Sequence, residues 1–296
     1  MVNTPSSPLH WVGGKKDIAA AVTTPYPHRM NAFHDVFLGG GSILLHVLTH
    51  HRVRKAFAYD SNPDLIQFFE VLRSAPRDLA ASTNELQERF NRTRTEDARV
   101  RMYNRLRARF NRASRSIESE SNAILRAATF LFLNKTAFGG LFRTNARGEF
   151  NAAYGRPALP LVLSDEAHLC RVSHVIRNVR FVHCDFRTAL ESVGPRDFVY
   201  CDPPYLPFGD DAPSCYRRYS SKRFSAEDRD ALLAALRVAP YFFVLSNVDQ
   251  ERALAEYFPT DRFEIRVVPN RRRIKGNAPV RETITYPART RNSARG

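Results

Sequence analysis

The chain has 296 residues, 43% hydrophobic and 25% charged, an ordinary globular composition that excludes wholesale disorder. Lys and Arg number 45 against 30 Asp and Glu, a formal charge of +15, which favours a polyanionic partner and says nothing about fold. Cys170, Cys184, Cys201 and Cys215 form no CxxC pair and show no matching His spacing, so neither a disulfide framework nor a zinc site is indicated. No apolar run approaches the roughly 20 residues of a membrane span. The start, MVNTPSSPLHWVGGKK, lacks the charged and then apolar order of a secretory signal. These features predict a soluble, intracellular, polyanion-binding protein.

Residues 33–37 (FHDVF) read as a short strand running into Gly39, Gly40 and Gly41. A helix follows from Ser42 to about His50, with Ile43, Leu44, Val47 and Leu48 on one face. Residues 55–60 (KAFAYD) form a second strand ending on Asp60, and Asn62 with Pro63 starts another helix. This is a βαβ unit. The alternation then stops. Residues 64–135 are helical in pattern, and 89–115 hold ten arginines against Glu96 and Asp97. Turns at Gly139–Gly140 and Arg147–Gly148 make 136–156 a β-hairpin. After Leu163 strands are expected at 179–183, 197–201, 241–245, 263–268 and 281–286. Helices are expected at 165–177 and 225–238, the latter opened by Ser225 with Asp228 three residues on. Residues 207–223 read as a long loop, and 271–296 carry eight basic residues against Glu282, ending in a disordered tail. The pattern predicts an α/β protein whose mostly parallel sheet is interrupted after its second strand by a basic helical insertion with a hairpin.

The sharpest chemical signal is FVYCDPPYLP (198–207). An apolar strand delivers Asp202 to the carboxyl end of the sheet, where open α/β folds bind ligands. Pro203 and Pro204 fix two φ angles and remove two donors, leaving rigid carbonyls, and Tyr205 adds an aromatic face. A carboxylate, a carbonyl and an aromatic plate suit a planar heterocycle bearing an exocyclic amino group. The plainer alternative is a strand followed by a Pro-Pro turn. Phe37 to Gly41 is the second signal, with Asp60 about 20 residues on, where an acid can hold a ribose hydroxyl pair. It lacks the GxGxxG spacing that suits a pyrophosphate. The third, Trp11 to Lys16, holds the single tryptophan, otherwise a core anchor.

In this order WVGGK, FLGGG, Asp60, the insertion and CDPPY resemble the Dam-type DNA adenine-N6 methyltransferases of the D12 class. The likeness extends to NKTAFGGLFRTNARGEFNAAYGR (134–156), HCDF (183–186), LSN (245–247) and RRRIKGNAPVRE (271–282), and so covers about residues 9–286. It implies a Rossmann-like, S-adenosylmethionine-dependent methyltransferase sheet with an inserted helical target-recognition domain and β-hairpin. Residues 1–66 and 163–288 would form the catalytic domain, 67–162 the insertion and 289–296 a basic tail.

By the same resemblance, Trp11 and Lys15 are N-terminal contacts to S-adenosylmethionine, and Phe37, Gly39 and Gly41 the turn beneath it. Asp60 is the ribose ligand, Asp185 and Phe186 the partners of the cofactor adenine, and Asp202, Pro203, Pro204 and Tyr205 the catalytic loop. Phe138 sits where the family wedges an aromatic beside a flipped base, and Leu141 and Arg143 where it reads base edges. His10 stands where a lysine often contacts the first base pair of GATC. Gly139 replaces an asparagine, and Pro157-Ala158 replaces a basic pair.

The expected partner is double-stranded DNA, with no membrane, no metal and no obligatory protein partner. The expected enzyme is a DNA-associated intracellular monomer. Hydrogen bonds from the adenine amino group to Asp202 and the Pro203 carbonyl would localise the nitrogen lone pair. Methylation of RNA or of cytosine N4, and a non-catalytic DNA-binding module on the same fold, are the alternative readings.

Overall fold

The computed structural model describes residues 3–112, 119–145, 147–205, 224–248, 251–273 and 279–288. The expected loop 207–223, the tail 289–296, Cys215, Arg115 and part of the 271–282 stretch lie outside the described residues. In chain order the elements are α1 (Ala19–Thr23), β1 (Arg29–Asp35), α2 (Ser42–His50), β2 (Arg52–Asp60), α3 (Pro63–Ser74), α4 (Pro76–Asn91), α5 (Glu96–Arg112) and α6 (Glu120–Thr136). There follow α7 (Glu166–Ile176), β3 (Val179–His183), α8 (Phe186–Glu191), β4 (Phe198–Cys201), α9 (Ala226–Arg237), β5 (Phe242–Val248), α10 (Glu251–Tyr257), β6 (Phe263–Arg273) and β7 (Pro279–Pro287). Single 3-10 turns occupy Lys16–Ile18 and Phe138–Gly140.

The α/β class agrees with the Rossmann-like arrangement that the motifs imply. β1 starts at Arg29 and ends at Asp35, earlier at both ends than the expected 33–37: Arg29 and Asn31 break the apolar pattern, yet Arg29, Met30 and Ala32 already pair with β2. The short helix α10 has no counterpart in the sequence reading.

Two compact units divide the chain. The first comprises Met1–Gly14, Gly39–Thr49 and Asp60–His183. Its axis is α6, buried from Ala127 to Asn134, as expected of a helix with apolar residues all round. α3, α4 and α5 pack against it through edge-on and tilted aromatic pairs, Phe68–Phe130 and Phe90–Phe132, both at 5.6 Å. Asn62 caps α3 by accepting from the Asp64 and Leu65 amides, with Pro63 at the first helical position.

The second unit comprises Lys15–Leu38, His50–Tyr59 and Cys184–Gly296. Six strands run in the order β2-β1-β4-β5-β7-β6. β2, β1, β4 and β5 are parallel, and β7 is antiparallel to both β5 and β6. Val199 and Phe243 on one face and Tyr200 and Val244 on the other are all buried, the signature of parallel strands covered on both faces. Tyr26 donates its hydroxyl to the Val199 carbonyl at 2.7 Å. His34 is buried and lies 3.0 Å from the Tyr59 hydroxyl and 3.3 Å from Asp197, while Tyr59 meets the Ser192 hydroxyl at 2.9 Å. Burial holds the His34 imidazole below its usual pKa despite Asp197, so this satisfied polar chain is a structural tie between β1, β2 and the entry to β4.

Candidate functional site

In the second unit, β4 ends at Cys201 and releases Asp202 to Tyr205 at the carboxyl edge of the parallel strands. Tyr205 donates its hydroxyl to Asp202 Oδ1 at 2.9 Å. Burial and the neighbouring Asp202 push the Tyr205 phenol well up, which keeps it a donor. Lys15, the residue before the 3-10 turn, places Nζ 2.8 Å from Asp202 Oδ2 and 4.9 Å from the centre of the Tyr205 ring. Its side chain is only 2% exposed, whereas that of Asp202 is 18% exposed. Glu282 on β7 is the second acid at this ammonium, 3.5 Å away and 4% exposed. A lysine, a carboxylate and a phenol far apart in sequence thus converge, and Glu282 joins them with no signal in its local sequence. The Cys201 thiol, pushed well up by burial, is inert beside them.

The same unit gathers Phe37 and Phe186, stacked at 5.8 Å between ring centres. Phe224, which sequence reasoning passes over, meets both edge-on at 5.9 and 5.8 Å. Asp185 caps α8, accepting from the Arg187 amide at 3.0 Å and its guanidinium at 3.2 Å. Arg187 reaches on to Asp228 at 2.7 Å and lies over the Phe186 ring. Asp228 also completes the capping box with Ser225 that the sequence predicts.

The first unit holds the glycine turn and Asp60. The carboxylate accepts from the Gly39 amide at 3.1 Å and the Asn62 amide at 2.9 Å, one bond per oxygen. Burial nevertheless raises its pKa above the ordinary value. Each oxygen keeps acceptor capacity for a further hydroxyl. Trp11 stacks on Phe142 at 6.0 Å, joining the N-terminal segment to the hairpin.

Among its described residues the hairpin 136–156 has two antiparallel bridges, Ala137 to Tyr154 and Thr144 to Phe150, without a regular ladder. Its shape comes from α5 instead. Tyr103, Arg107 and Asn111 stand four residues apart, hence on one helix face. Tyr103 and Arg107 donate to the Ala152 carbonyl at 2.9 and 3.1 Å. Asn111 both donates to and accepts from the Phe150 backbone at 2.9 Å. Gly155 closes the base, where a Cβ would lie 2.6 Å from the Ala137 backbone.

Asn134, fully buried on α6, clamps His10 in the same two-point way, at 2.8 Å to its amide and 2.7 Å to its carbonyl. It also reaches the Gly140 carbonyl at 3.4 Å. His10 and the turn bearing Phe138 are therefore held together by one carboxamide. Phe138 is 66% exposed. Gly139 has φ of +66°, the left-handed region that asparagine also adopts, so the glycine departure there preserves the turn. Leu141 is half-buried and Arg143 exposed, its Nε donating to Asn151 at 3.0 Å. Arg94, Arg101, Arg105 and Arg109 are exposed, whereas Arg99 turns in over Phe90. Among the described residues, no three His, Cys, Asp or Glu are grouped to hold a metal ion, and no helix is long and apolar enough to cross a membrane.

The family of D12 class N6 adenine-specific DNA methyltransferases matches residues 11–274. A type II methyltransferase, M.MjaIII, of Methanocaldococcus jannaschii is 30% identical over 260 residues, covering 86% of this chain and 85% of the relative. The DNA adenine methylase of Escherichia coli K12 is 26% identical over 278 residues, 93% of this chain and 91% of that one. The DNA adenine methylase of Haemophilus influenzae is 27% identical over 225 residues, 76% and 71% of the two chains.

Proposed function

The chain belongs to the D12 class of N6 adenine-specific DNA methyltransferases, and from that premise we propose which residues do the work and on what. The enzyme methylates N6 of an adenine turned out of duplex DNA, within GATC or a related short site, as a DNA-associated intracellular monomer. The observation that carries this reading is the ionic and hydrogen-bonded setting of Asp202 at the end of β4, with Lys15 and Tyr205 on its two oxygens.

S-adenosylmethionine, when bound, supplies an electrophilic methyl group on sulfur. The residues present fit it. Asp60, with one backbone donor per oxygen, retains acceptors for a ribose hydroxyl pair. Phe37 and Phe186 offer aromatic surface to an adenine, whose amino group suits Asp185. Trp11, Lys15, Gly39 and Gly41 complete the contacts that the resemblance implies.

The adenine amino nitrogen is a poor nucleophile because its lone pair is delocalised into the ring. Asp202 and the Pro203 carbonyl accept its two N–H bonds and draw the lone pair out of conjugation. The charge that develops on the amino group is stabilised most in the transition state, which is where such interactions accelerate a reaction. Pro204 holds the loop rigid. Extruding the base costs a few kcal/mol, offset by stacking on Tyr205 and insertion of Phe138 into the gap. Residues 67–162 form the recognition insertion. The deciding experiment is sequencing of modified bases in DNA from methylation-free cells expressing the chain. Adenine-N6 marks at one short motif are expected; marks only on cytosine or RNA, or none, would overturn the reading.

Asp60→Ala should weaken S-adenosylmethionine binding by about 1.5–3 kcal/mol, the worth of hydrogen bonds to a charged group, as calorimetry would read. Binding needs the carboxylate form. Because burial raises the Asp60 pKa above its ordinary 3.8, affinity should fall on acidification at a pH above that value and be retained at higher pH. The same shift makes ionised Asp60 a net cost to the free protein above the ordinary carboxylate range.

Arg143, with Leu141 and His10, reads base edges. A bidentate contact to guanine discriminates by about 1–3 kcal/mol. Arg143→Ala should therefore relax preference at one base pair, whereas Arg101→Ala, on the exposed face of α5, should weaken all sequences alike and flatten the salt dependence. Methylation rates on single-base variants of GATC distinguish the two. Uniform slowing by Arg143→Ala would make it a phosphate contact.

A further inference from the structure

Glu282 is a buried acid beside Asp202 to which the mechanism above gives no part. It sits mid-strand on β7, paired with Val248 of β5 and Val268 of β6. A carboxylate 4% exposed is unfavourable unless paired, and an apolar residue of similar volume would serve packing at least as well. Its ammonium partner, Lys15, is shared. Nζ lies 2.8 Å from Asp202 and 3.5 Å from Glu282, so a single buried cation has one close seat and one looser seat.

In this state the oxygens of Asp202 are engaged by Lys15 and Tyr205. A carboxylate neutralised by an ammonium at 2.8 Å is a weakened acceptor for a neutral amino group. The adenine N–H therefore competes with Lys15 for Asp202. Charged N–H to O bonds close at about 2.7–2.9 Å, so the ammonium needs a displacement of under about 1 Å to seat fully on Glu282. Lysine, with three donors on a flexible stem, accommodates such a shift.

We propose that Glu282 is a positioning residue for methyl transfer. It acts through Lys15, receiving the ammonium as the target base takes Asp202, so that the cation leaves one carboxylate without losing a charged partner. The inference rests on the methyltransferase reading above.

The test is single-turnover methylation of duplex DNA by the full chain at saturating DNA and S-adenosylmethionine. Wild-type protein must first transfer methyl groups; if it does not, the proposed function fails and not this inference. Glu282→Gln keeps shape and removes charge. It should lower the single-turnover rate at least tenfold, while DNA and cofactor dissociation constants and the melting temperature stay near wild type. Glu282→Asp should recover part of the rate, and it replaces the glutamine variant if that protein does not fold. Because Glu282 acts through Lys15, Lys15→Gln with Glu282→Gln should be no slower than Lys15→Gln alone. A Glu282→Gln rate within twofold of wild type, no recovery with aspartate, or multiplying losses in the double variant would each overturn the proposal.

Discussion

Asp202→Ala is expected to reduce methyl transfer by at least a thousandfold, about 4 kcal/mol of transition-state stabilisation, the upper end for removing one charge-stabilising group. On the proposed reading, duplex affinity should stay close to wild type, because phosphate contacts, and not a group assigned to the chemistry, dominate protein–DNA affinity in general. The fold should also survive. Asp202 is more exposed than Lys15 and Glu282, and Lys15 retains Glu282 as a charged neighbour. Asp202→Asn is the sharper companion, since an amide oxygen can still accept from Tyr205 while the negative charge is gone. Single-turnover rates, DNA binding and melting curves on the three proteins make the comparison. Activity within tenfold of wild type for Asp202→Ala, a loss of only about 1.4 kcal/mol, would remove Asp202 from the chemistry.

The largest expected effect on stability lies elsewhere, in Arg126→Met. Arg126 on α6 donates through Nε and Nη2 to Asp64 Oδ1 at 2.9 and 2.7 Å, and through Nη1 to the Phe110 carbonyl at 3.0 Å. Its guanidinium lies 4.1 Å from the Phe110 ring centre, and both charged side chains are almost fully buried. One side chain thereby ties α3 and the end of α5 to α6. Its removal leaves Asp64 charged in the core, which typically costs about 3–5 kcal/mol, a large share of the roughly 5–15 kcal/mol that holds a domain folded. Chemical denaturation should show that loss. The double variant Arg126→Met with Asp64→Leu should recover most of it, because the buried negative charge is then removed together with the positive one. A double variant as unstable as Arg126→Met alone would locate the stability in packing against Phe110, not in the ion pair.

Much of the architecture is legible before any coordinates are seen, and the instances show why. Strand, glycine turn, helix and Asp60 follow from alternating and 3.6-residue apolar patterns over a few residues at a time. The Ser225 cap and the strand leading into Asp202 are likewise local. The hairpin is legible by its turns, but its support is not, because Tyr103, Arg107 and Asn111 reveal their purpose only once α5 lies along residues 150–152.

The contrast is sharpest among the charged and amide residues. By itself the sequence determined the α/β class, the motif order, the arginine-rich helical stretch and the identities of Asp60 and Asp202 as acids at strand ends. Each of these is encoded in backbone periodicity and neighbouring residue types. Only the tertiary structure decided that Lys15, a cofactor contact by the resemblance, is buried beside both Asp202 and Glu282. It alone made Arg126 an inward anchor, set Arg99 apart from the exposed Arg101, and used Asn134 to join His10 to the turn at Phe138. A charge or carboxamide looks the same in sequence whether solvated or buried. What distinguishes the two is a partner brought within about 3 Å from a remote strand or helix, and that proximity is a property of the folded chain.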